Sequence, residues 1–515
     1  MKLDVQPATD SNRALQLWRA SVLLVMLLAL AAVGARLAAA GDFPPVVPPP
    51  EPVALPRPLV RTLPNGVRVL VVERRSLPVV TLRLVVKAGA ETDPPELPGT
   101  AQFVASMLDE GTTRRSAFDV AEAIDGAGGA FDTGVDWDST FVELSVLSDH
   151  TSLAFDLLAD LVLHPAFASA AVERVRRQTL SALDVLHQDP GYVADAVFDR
   201  LVFAGTPYGH PLDGTVEAVK RLAPGDLARF HAREYLPDRA LLAVVGDVEP
   251  EAAFRQAAEC FGGWTGTDAS APAAEPSKRS EATNVGPVRQ VLIVDKPDAV
   301  QTEIRLGSAG IPRASPDYLA LSVANQILGG PASNRLFSDL RGEHGLTYSA
   351  SSDLDCRAQA GSWEAKTSTR TPETTRAVRR ALDEIRRMQE QSMSPPELQM
   401  ALNYLIGHQA LDFETSAGIA DQFLDLMTYN LSLDTWSRLP VALRGLSPDD
   451  VWNATRKYLD ADRAVIVLVG NAAAFAKDFH KLGPMRVIPI GSLDLGSPGL
   501  ERLPAEAAKA GSRSR

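Results

Sequence analysis

The segment LAPGDLARFHAREYLPDRALLAVVGDV, residues 222–248, occurs a second time in diverged form as LSPDDVWNATRKYLDADRAVIVLVGNA, residues 446–472. Each copy contains Pro-x-Asp, a helical stretch ending in Arg-x-Tyr-Leu, an Asp-Arg turn, a β-branched strand and a glycine. Arg239 and Arg463 occupy the same place before the two strands. Agreement in this order along a whole segment predicts an internal repeat, so the chain is expected to be built from two related halves.

Both halves open with two β-branched runs around a turn, at residues 66–90 and 289–310. Stretches with helical spacing of apolar residues follow in each half, for example residues 149–164 and 316–330. This order predicts an α/β (α+β) fold of two similar strand-and-helix layer domains. We place the domains at residues 59–265 and 288–485, joined by an Ala-, Ser- and Pro-rich linker at 266–287, with a tail at 486–515.

Composition limits the function classes. The 515 residues carry a net charge of -13, and no basic block is large enough to indicate a nucleic-acid surface. The two cysteines, Cys260 and Cys356, fall in different halves, so the spacing implies no pairing and favours two isolated buried thiols.

The N-terminus has the pattern of an export signal. Lys2, Arg13 and Arg19 precede the apolar run at residues 20–35, and small residues follow before Gly41. Residues 1–40 are therefore expected to be a cleaved signal peptide or an uncleaved N-terminal anchor, and 41–58 a stiff Pro-rich linker. Either alternative predicts an exported protein, periplasmic or anchored in the membrane and facing the periplasm.

The stretch PGTAQFVASMLDEGT, residues 98–112, predicts a helix between two glycines. One face carries apolar side chains, namely those of Phe103, Val104, Met107 and Leu108. The other face carries Gln102, Ala105, Ser106 and Asp109, and it is almost bare of reactive groups.

Residues 63–112 resemble the opening of the pitrilysin-type zinc peptidases, which include the mitochondrial processing peptidase and its bacterial relatives. The resemblance continues to about residue 480, through YLPDRALLAVVGDV (235–248) and NQILGGPASNRLFSDLRGEHGLTYSAS (325–351). It implies two similar α/β domains in a clam-shell arrangement that closes on a peptide.

Active members of that family carry the inverzincin motif His-x-x-Glu-His on this helix. The matching positions here are Gln102, Ala105 and Ser106, none of which suits zinc ligation or base chemistry. The family's third ligand is a Glu on a later helix, and the aligned positions are Ser181 and Ala182, with Asp184 turned away by its offset. The resemblance thus implies a degenerate zinc motif, no metal in this chain and zinc in a partner chain.

The eight histidines of the chain do not restore a zinc site by their spacing, because no two of them lie three or four residues apart. They are His150, His164, His187, His210, His231, His344, His408 and His480. His344 follows Glu343, but Leu340 stands where a first histidine would be needed. A zinc site assembled from scattered residues is the alternative to ordinary solvated or capping histidines.

The second half keeps the segment LRGEHGLTY. In the family this segment carries an Arg and a Tyr that bind the substrate backbone and support the oxyanion opposite the zinc. The matching residues are Arg341 and Tyr348, which the resemblance implies as catalytic and substrate-binding groups within a complex. We expect Arg341 to end a helix, Gly345 to supply a turn and LTYSASS to start a strand.

The leading hypothesis is an Arg/Tyr-type, substrate-handling subunit of an exported heterodimeric zinc endopeptidase. Such a chain is inactive alone and works with a zinc-motif-bearing homologous subunit on peptides. One alternative is a non-enzymatic peptide-binding or scaffold protein with the same fold. Another is a peptidase that is active alone through an unfamiliar metal site.

Overall fold

A computed structural model of the protein describes residues 54–266, 289–331 and 334–502. The expected signal or anchor segment, residues 41–53 of the Pro-rich linker, residues 267–287 of the interdomain linker and residues 503–515 of the tail lie outside these ranges. Within the described ranges, no helix combines the length and the apolar character that a membrane crossing requires.

The first half is a six-stranded sheet with helices. Its strands are β1 Leu59–Thr62, β2 Arg68–Glu73, β3 Val79–Val86, β4 Ala130–Val135, β5 Thr140–Leu147 and β6 Ala240–Gly246, in the order β1-β2-β6-β3-β5-β4. Its helices are α1 Thr100–Ala105, α2 Ala117–Gly126, α3 Thr151–Leu163, α4 Ser169–Leu186, α5 Pro190–Val202, α6 Val216–Arg221, α7 Pro224–Glu234 and α8 Pro250–Phe261. The β2–β6 pair is parallel and the other pairs are antiparallel.

The second half repeats this plan. Its strands are β7 Gln290–Asp295, β8 Gln301–Ala309, β9 Ala350–Cys356, β10 Gly361–Arg370, β11 Val465–Gly470 and β12 Met485–Pro489, in the order β12-β7-β11-β8-β10-β9. Its helices are α9 Tyr318–Gly329, α10 Arg335–Phe337, α11 Thr374–Glu390, α12 Pro395–Asp412, α13 Ser416–Thr428, α14 Thr435–Arg444 and α15 Pro448–Tyr458. A π-helical turn, Ser338–Glu343, continues α10.

The two halves correspond element by element. Strands β2 to β6 match β7 to β11 in both chain order and sheet order, and helices α1 to α7 match α9 to α15 in chain order. The sheets differ at one edge, where β1 is antiparallel to its neighbour and β12 is parallel. The internal repeat and the two layered α/β domains predicted from the sequence are confirmed.

The repeated motif has a local physical role. Its proline is the first residue of α7 and of α15, where a missing N–H costs nothing. The carboxylates of Asp226 and Asp450, two residues further on, accept the backbone N–H of Ala223 (2.8 Å) and Ser447 (2.9 Å). The motif thus starts the helix that leads into the central strand of each sheet.

Each half covers a face of the other half's sheet with one helix. Val193, Val197 and Phe198 of α5 pack on β7 and β11 of the second half. Reciprocally, α13 packs Ile419, Phe423 and Met427 on β2 and β6 of the first half. Every residue of β6 and β11 is buried as a result, so the two halves are joined by exchanged helices.

A polar cluster also joins the halves. The buried carboxylate of Asp138 accepts hydrogen bonds from the hydroxyl of Tyr208 (2.7 Å), the hydroxyl of Tyr429 (3.0 Å) and the backbone N–H of Ala358 (2.8 Å). Two of these donors come from the second half. Because a buried charge is costly without partners, this carboxylate favours the joined arrangement of the halves.

Some sequence-based boundaries differ from the structure. The helix expected over 98–112 spans only Thr100–Ala105, and turns follow up to Gly111, which has a φ of 108°. The second sheet continues through β12 into the predicted tail, and Leu495 and Leu500 pack beside it. Cys260 and Cys356 are free and only half-buried, each against the core of its own half.

Candidate functional site

The degenerate metal positions lie in an open cleft of about 440 Å³ between α1 and α4. Gln102 lies in α1 and Ser106 is the C-cap of that helix. Both line this cleft, together with Ala182 of α4. Ser181 and Asp184 are exposed on the same helix but are not among the residues that line the cleft. The structure therefore brings together three of the positions that the resemblance assigns to zinc ligands.

The position of α1 is fixed at its N-terminus. The carboxylate of Asp93 accepts the backbone N–H groups of Gly99 (2.5 Å) and Ala101 (2.7 Å), which satisfies donors at the start of the helix. Gly99 has a φ of 91°, and a Cβ there would lie 2.6 Å from the Cα of Gly214. Only glycine fits both the left-handed backbone and this close approach.

The residues of the cleft do not fit zinc. Gln102 offers an amide and Ser106 a hydroxyl that bonds back to the carbonyl of Gln102 (2.9 Å). Ala105 is 1% exposed and belongs to the core rather than to the lining. Among the described lining residues there is no histidine or cysteine, and zinc sites are built from those ligands with a carboxylate as the usual addition.

Three carboxylates remain in the cleft, and two of them have protein partners. Glu110 forms an ion pair with Arg174, and Asp213 accepts the hydroxyl of Tyr192 (3.1 Å). Burial raises the pKa of Asp109 above its ordinary value. The described lining thus combines carboxylates with apolar side chains and offers no histidine or cysteine to hold the metal that water activation requires.

The second half holds Arg341 and Tyr348 against each other. Arg341 lies in the π-helical turn after α10, and its Nη1 donates to the carbonyl of Tyr348 (3.0 Å). Its guanidinium also lies 4.7 Å from the centre of the Tyr348 ring and 5.0 Å from that of Phe337. Both residues are exposed, Tyr348 to 81%. The pair therefore presents a cation and a phenol hydroxyl to solvent.

The turn between the two residues forms largely as expected. Gly345 has a φ of 59° and its N–H bonds to the carbonyl of Arg341 (3.1 Å). The strand starts at Ala350 instead of directly after Gly345, because the hydroxyl of Thr347 accepts the N–H of Ser349 (3.2 Å) in a local turn. That turn leaves Tyr348 outside the sheet ladder and exposed.

One group of possible metal ligands occurs in the described residues, and it lies in the same turn. Asp339, Glu343 and His344 place ligand atoms within 4.8 Å of one another. However, both carboxylate oxygens of Asp339 bind the guanidinium of Arg380, one of them at 3.0 Å. His344 uses Nδ1 on the backbone carbonyl of Asp339 (2.9 Å). The geometry matches an ion pair that stabilises the turn better than a metal centre.

Sequence reasoning missed the residues that come to the site from distant segments. Thr133 and Asp213 line the cleft although they lie far from α1 and α4 in sequence. Asp138, which joins the halves, lies in the loop between β4 and β5, and its sequence context is that of an ordinary loop aspartate. No periodicity or motif marks these positions in the sequence.

Two family models match the chain. Residues 68–216 match the model described as insulinase (peptidase family M16), and residues 221–405 match the model described as the peptidase M16 inactive domain. The first match contains the cleft, and the second contains Arg341 and Tyr348.

Several curated proteins are similar in sequence. An uncharacterized zinc protease of Mycobacterium leprae is 33% identical over 58% of this chain and 66% of its own length. A protein of the same description from Mycobacterium bovis is 32% identical over 61% of this chain and 70% of its own. One from Streptomyces coelicolor is 27% identical over 70% of this chain and 78% of its own length. The match thus spans about two thirds to three quarters of these relatives.

Two solved structures share the fold. A peptidase M16 inactive domain from Pseudomonas fluorescens aligns with a TM-score of 0.74 at 28% identity, over 80% of this chain and 98% of that one. A protease from Helicobacter pylori aligns with a TM-score of 0.74 at 17% identity, over 81% of this chain and 100% of that one. Taken with the matched sequences and the repeated α/β domains, these similarities show that the chain belongs to the M16, pitrilysin-like family of zinc peptidases, as a member whose zinc-motif positions carry Gln102, Ala105 and Ser106.

Proposed function

We propose that this protein is the substrate-handling subunit of an exported, heterodimeric zinc endopeptidase. The observation that carries the proposal is a division of features within one chain. Arg341 and Tyr348 are in contact and exposed, whereas the three metal positions in the cleft carry Gln102, Ser106 and Ala182. A chain with oxyanion donors but without a metal becomes useful when a second chain supplies the metal.

The chemistry of the pair suits that role. When zinc-bound water attacks a peptide carbonyl, the carbonyl oxygen gains negative charge. The guanidinium of Arg341 is a permanent cation with several donors, and the hydroxyl of Tyr348 is a neutral donor. Together they would hold the substrate backbone and stabilise the charge that the partner's zinc does not take.

The packing of the halves supports a separate partner. The exchanged helices α5 and α13 and the buried Asp138 cluster fix the two halves to each other. A partner chain that faces the exposed Arg341–Tyr348 surface requires no opening of this interface. The expected partner is a homologous chain with an intact zinc motif.

A non-enzymatic peptide-binding or scaffold role is the second candidate. It is favoured by the same loss of ligands, because a cleft of about 440 Å³ persists without the metal. This role predicts that Arg341 and Tyr348 contribute at most to binding and that no mixture of chains gains hydrolytic activity through them.

Reconstitution distinguishes the two functions. The full-length chain is mixed with a homologous, zinc-motif-bearing chain from the same source, and hydrolysis of an unstructured fluorogenic peptide is measured for each chain and for the mixture. We expect turnover only in the mixture, together with co-elution in size-exclusion chromatography. Co-elution without turnover would support the scaffold role, and full activity of this chain alone would restore the single-chain peptidase.

A further inference from the structure

A second cavity, of about 480 Å³, lies between the first half and the C-terminal segment 490–502. One side is formed by His187, Val193, residues 214–217 and Lys220, so three residues of α6 take part. The other side is formed by Ile490, residues 493–496 and Arg502. The cavity shares no lining residue with the cleft between α1 and α4, so the degenerate metal positions are not part of it.

Two cations and two carboxylates line this cavity, and the two cations form no ion pair within the described part of the chain. The side chains of Lys220 and Arg502 are exposed, and neither has a partner within the described part of the chain. Asp494 is already engaged, since its Oδ1 accepts the N–H of Gly496 (3.0 Å) and it lies near Arg200. The side chain of Glu217 has no hydrogen bond or ion pair among the described residues.

His187 adds an unsatisfied polar group. Its Nε2 is buried and has no hydrogen-bond partner in the part of the chain that the structure describes. Burial lowers the pKa of the imidazole below its ordinary value, which keeps the ring neutral near pH 7. Buried polar atoms are normally hydrogen-bonded, and a ligand in the cavity can supply the bond that this nitrogen lacks.

Part of the lining is apolar. Val193 and Leu495 are buried, and Ile490 and Leu493 pack against the same cluster. A cavity of this volume, with buried apolar side chains beside the polar ones, has the size of a small-molecule site. Its ligand should combine one negative charge with an apolar body.

We propose that this cavity binds the carboxylate of a small organic acid with an apolar body. Lys220 and Arg502 contact the carboxylate, His187 contributes a polar contact, and the apolar body lies against Val193 and Leu495. A peptide C-terminus and a fatty acid share this chemistry. The proposal does not depend on the peptidase role, because none of these residues belongs to the cleft or to the Arg341–Tyr348 pair.

The test uses matched probes and the full-length protein. Isothermal titration calorimetry compares N-acetyl-L-leucine with its neutral isostere N-acetyl-L-leucinamide, and octanoate serves as the fatty-acid arm. We expect saturable one-to-one binding of at least one carboxylate and at least about tenfold weaker binding of the amide. The tighter carboxylate identifies the source, with N-acetyl-L-leucine standing for a peptide C-terminus.

Variants locate the binding. Lys220→Met and Arg502→Met should each weaken binding of the carboxylate by about tenfold, because each removes one charge-assisted contact. The control Lys481→Met, at an exposed lysine outside the cavity, should leave it unchanged. Three results would each overturn the proposal: equal affinity for the carboxylate and the amide, parental affinity in both variants, or no saturable binding up to about 10 mM ligand. Circular dichroism confirms that the variants are folded.

Discussion

The guanidinium of Arg341 is bound to the residue that it is expected to work with: its Nη1 donates to the carbonyl of Tyr348 (3.0 Å) and its charge lies 4.7 Å from the centre of the Tyr348 ring. The contacts use the backbone and the ring face of Tyr348. Its phenol hydroxyl stays without a hydrogen-bond partner within the described residues, at an exposed position. The hydroxyl can therefore be removed without breaking the contact between the two residues.

Tyr348→Phe should lower the turnover of the mixed enzyme by about 10²- to 10³-fold, the usual effect of losing one oxyanion donor. Ring stacking and the bond to the Tyr348 carbonyl remain, so folding and assembly should be unaffected. The measurement is steady-state hydrolysis of a fluorogenic peptide by the two-chain mixture. Tyr404→Phe, on α12 of the same half, is the matched control.

Arg341→Ala should reduce turnover as well, and its effect should not add to that of Tyr348→Phe, because residues in contact are coupled. Parental rates for both single variants, with normal co-elution, would contradict the assigned roles and favour the scaffold function.

The cleft should accept zinc once its ligands are rebuilt. The parent chain is expected to hold no stoichiometric zinc, since Gln102, Ser106 and Ala182 supply no suitable donor set. Gln102→His, Ser106→His and Ala182→Glu together should produce about one zinc per chain by elemental analysis after dialysis. All three positions already line one cleft, so the backbone need not move far.

The matched control for this experiment moves the carboxylate to the wrong face. A variant with the same two histidines and Asp184→Glu has a similar composition, but position 184 is not part of the cleft lining. It should bind zinc much more weakly. Equal zinc content in the two triple variants, or tight zinc in the parent chain, would show that the cleft is misassigned.

The Asp138 cluster should contribute measurably to the stability of the joined halves. Tyr429→Phe removes a hydroxyl that donates to a buried carboxylate across the interface (3.0 Å). Hydrogen bonds to charged groups contribute about 1.5–3 kcal/mol, so we expect a loss in this range in the free energy of unfolding. Urea denaturation followed by circular dichroism measures it, with Tyr404→Phe as the control. A change below about 0.3 kcal/mol would exclude a role for this bond.

The sequence was sufficient for the parts of the molecule that depend on short-range pattern. The agreement between residues 222–248 and 446–472 predicted two related halves, and the Pro-x-Asp motif within it caps a helix in each half, at Asp226 and Asp450. Phe103, Val104, Met107 and Leu108 were predicted to form a buried face and are buried. Helical spacing and capping act over a few residues, so a single sequence reveals them.

Long-range arrangement was not visible in the same way. The exchange of α5 and α13 depends on which sheet face each helix covers, and both helices have ordinary amphipathic sequences. The early end of α1 at Ala105 also escaped prediction, because the stretch up to Gly111 keeps helical spacing while its backbone forms turns. Such features are decided by tertiary contacts rather than by local propensity.

Glu91 should make stability depend on pH. Burial, and secondly the charge of Asp138, raises the pKa of Glu91 from about 4.5 to about 7. The folded state therefore binds more protons than the unfolded state between these values. The stabilisation is complete below pH 4.5 and is lost as the pH rises through 7.

Glu91→Gln removes this titration. We expect the variant to gain stability relative to the parent between pH 5 and pH 8, as measured by urea denaturation at several pH values. Glu96→Gln, at an exposed position close by, serves as the control. A difference between Glu91→Gln and the parent that stays constant over this range would contradict the prediction.

Export of the mature domains is the last prediction. The apolar run at residues 20–35 follows Lys2, Arg13 and Arg19 and precedes a Pro-rich segment, the order expected of a signal or an outward-facing anchor. A reporter enzyme that is active only outside the cytoplasm, fused after Pro58, should therefore be active. Replacing Leu27 and Leu28 with arginine places two charges in the apolar run, which is costly in a membrane, and should abolish that activity. The matched control replaces Val46 and Val47 in the Pro-rich segment with arginine and should leave the reporter active. If the reporter is silent while a cytoplasmic reporter fused at the same residue works, the protein is not exported, and its zinc-bearing partner would have to be sought in the cytoplasm.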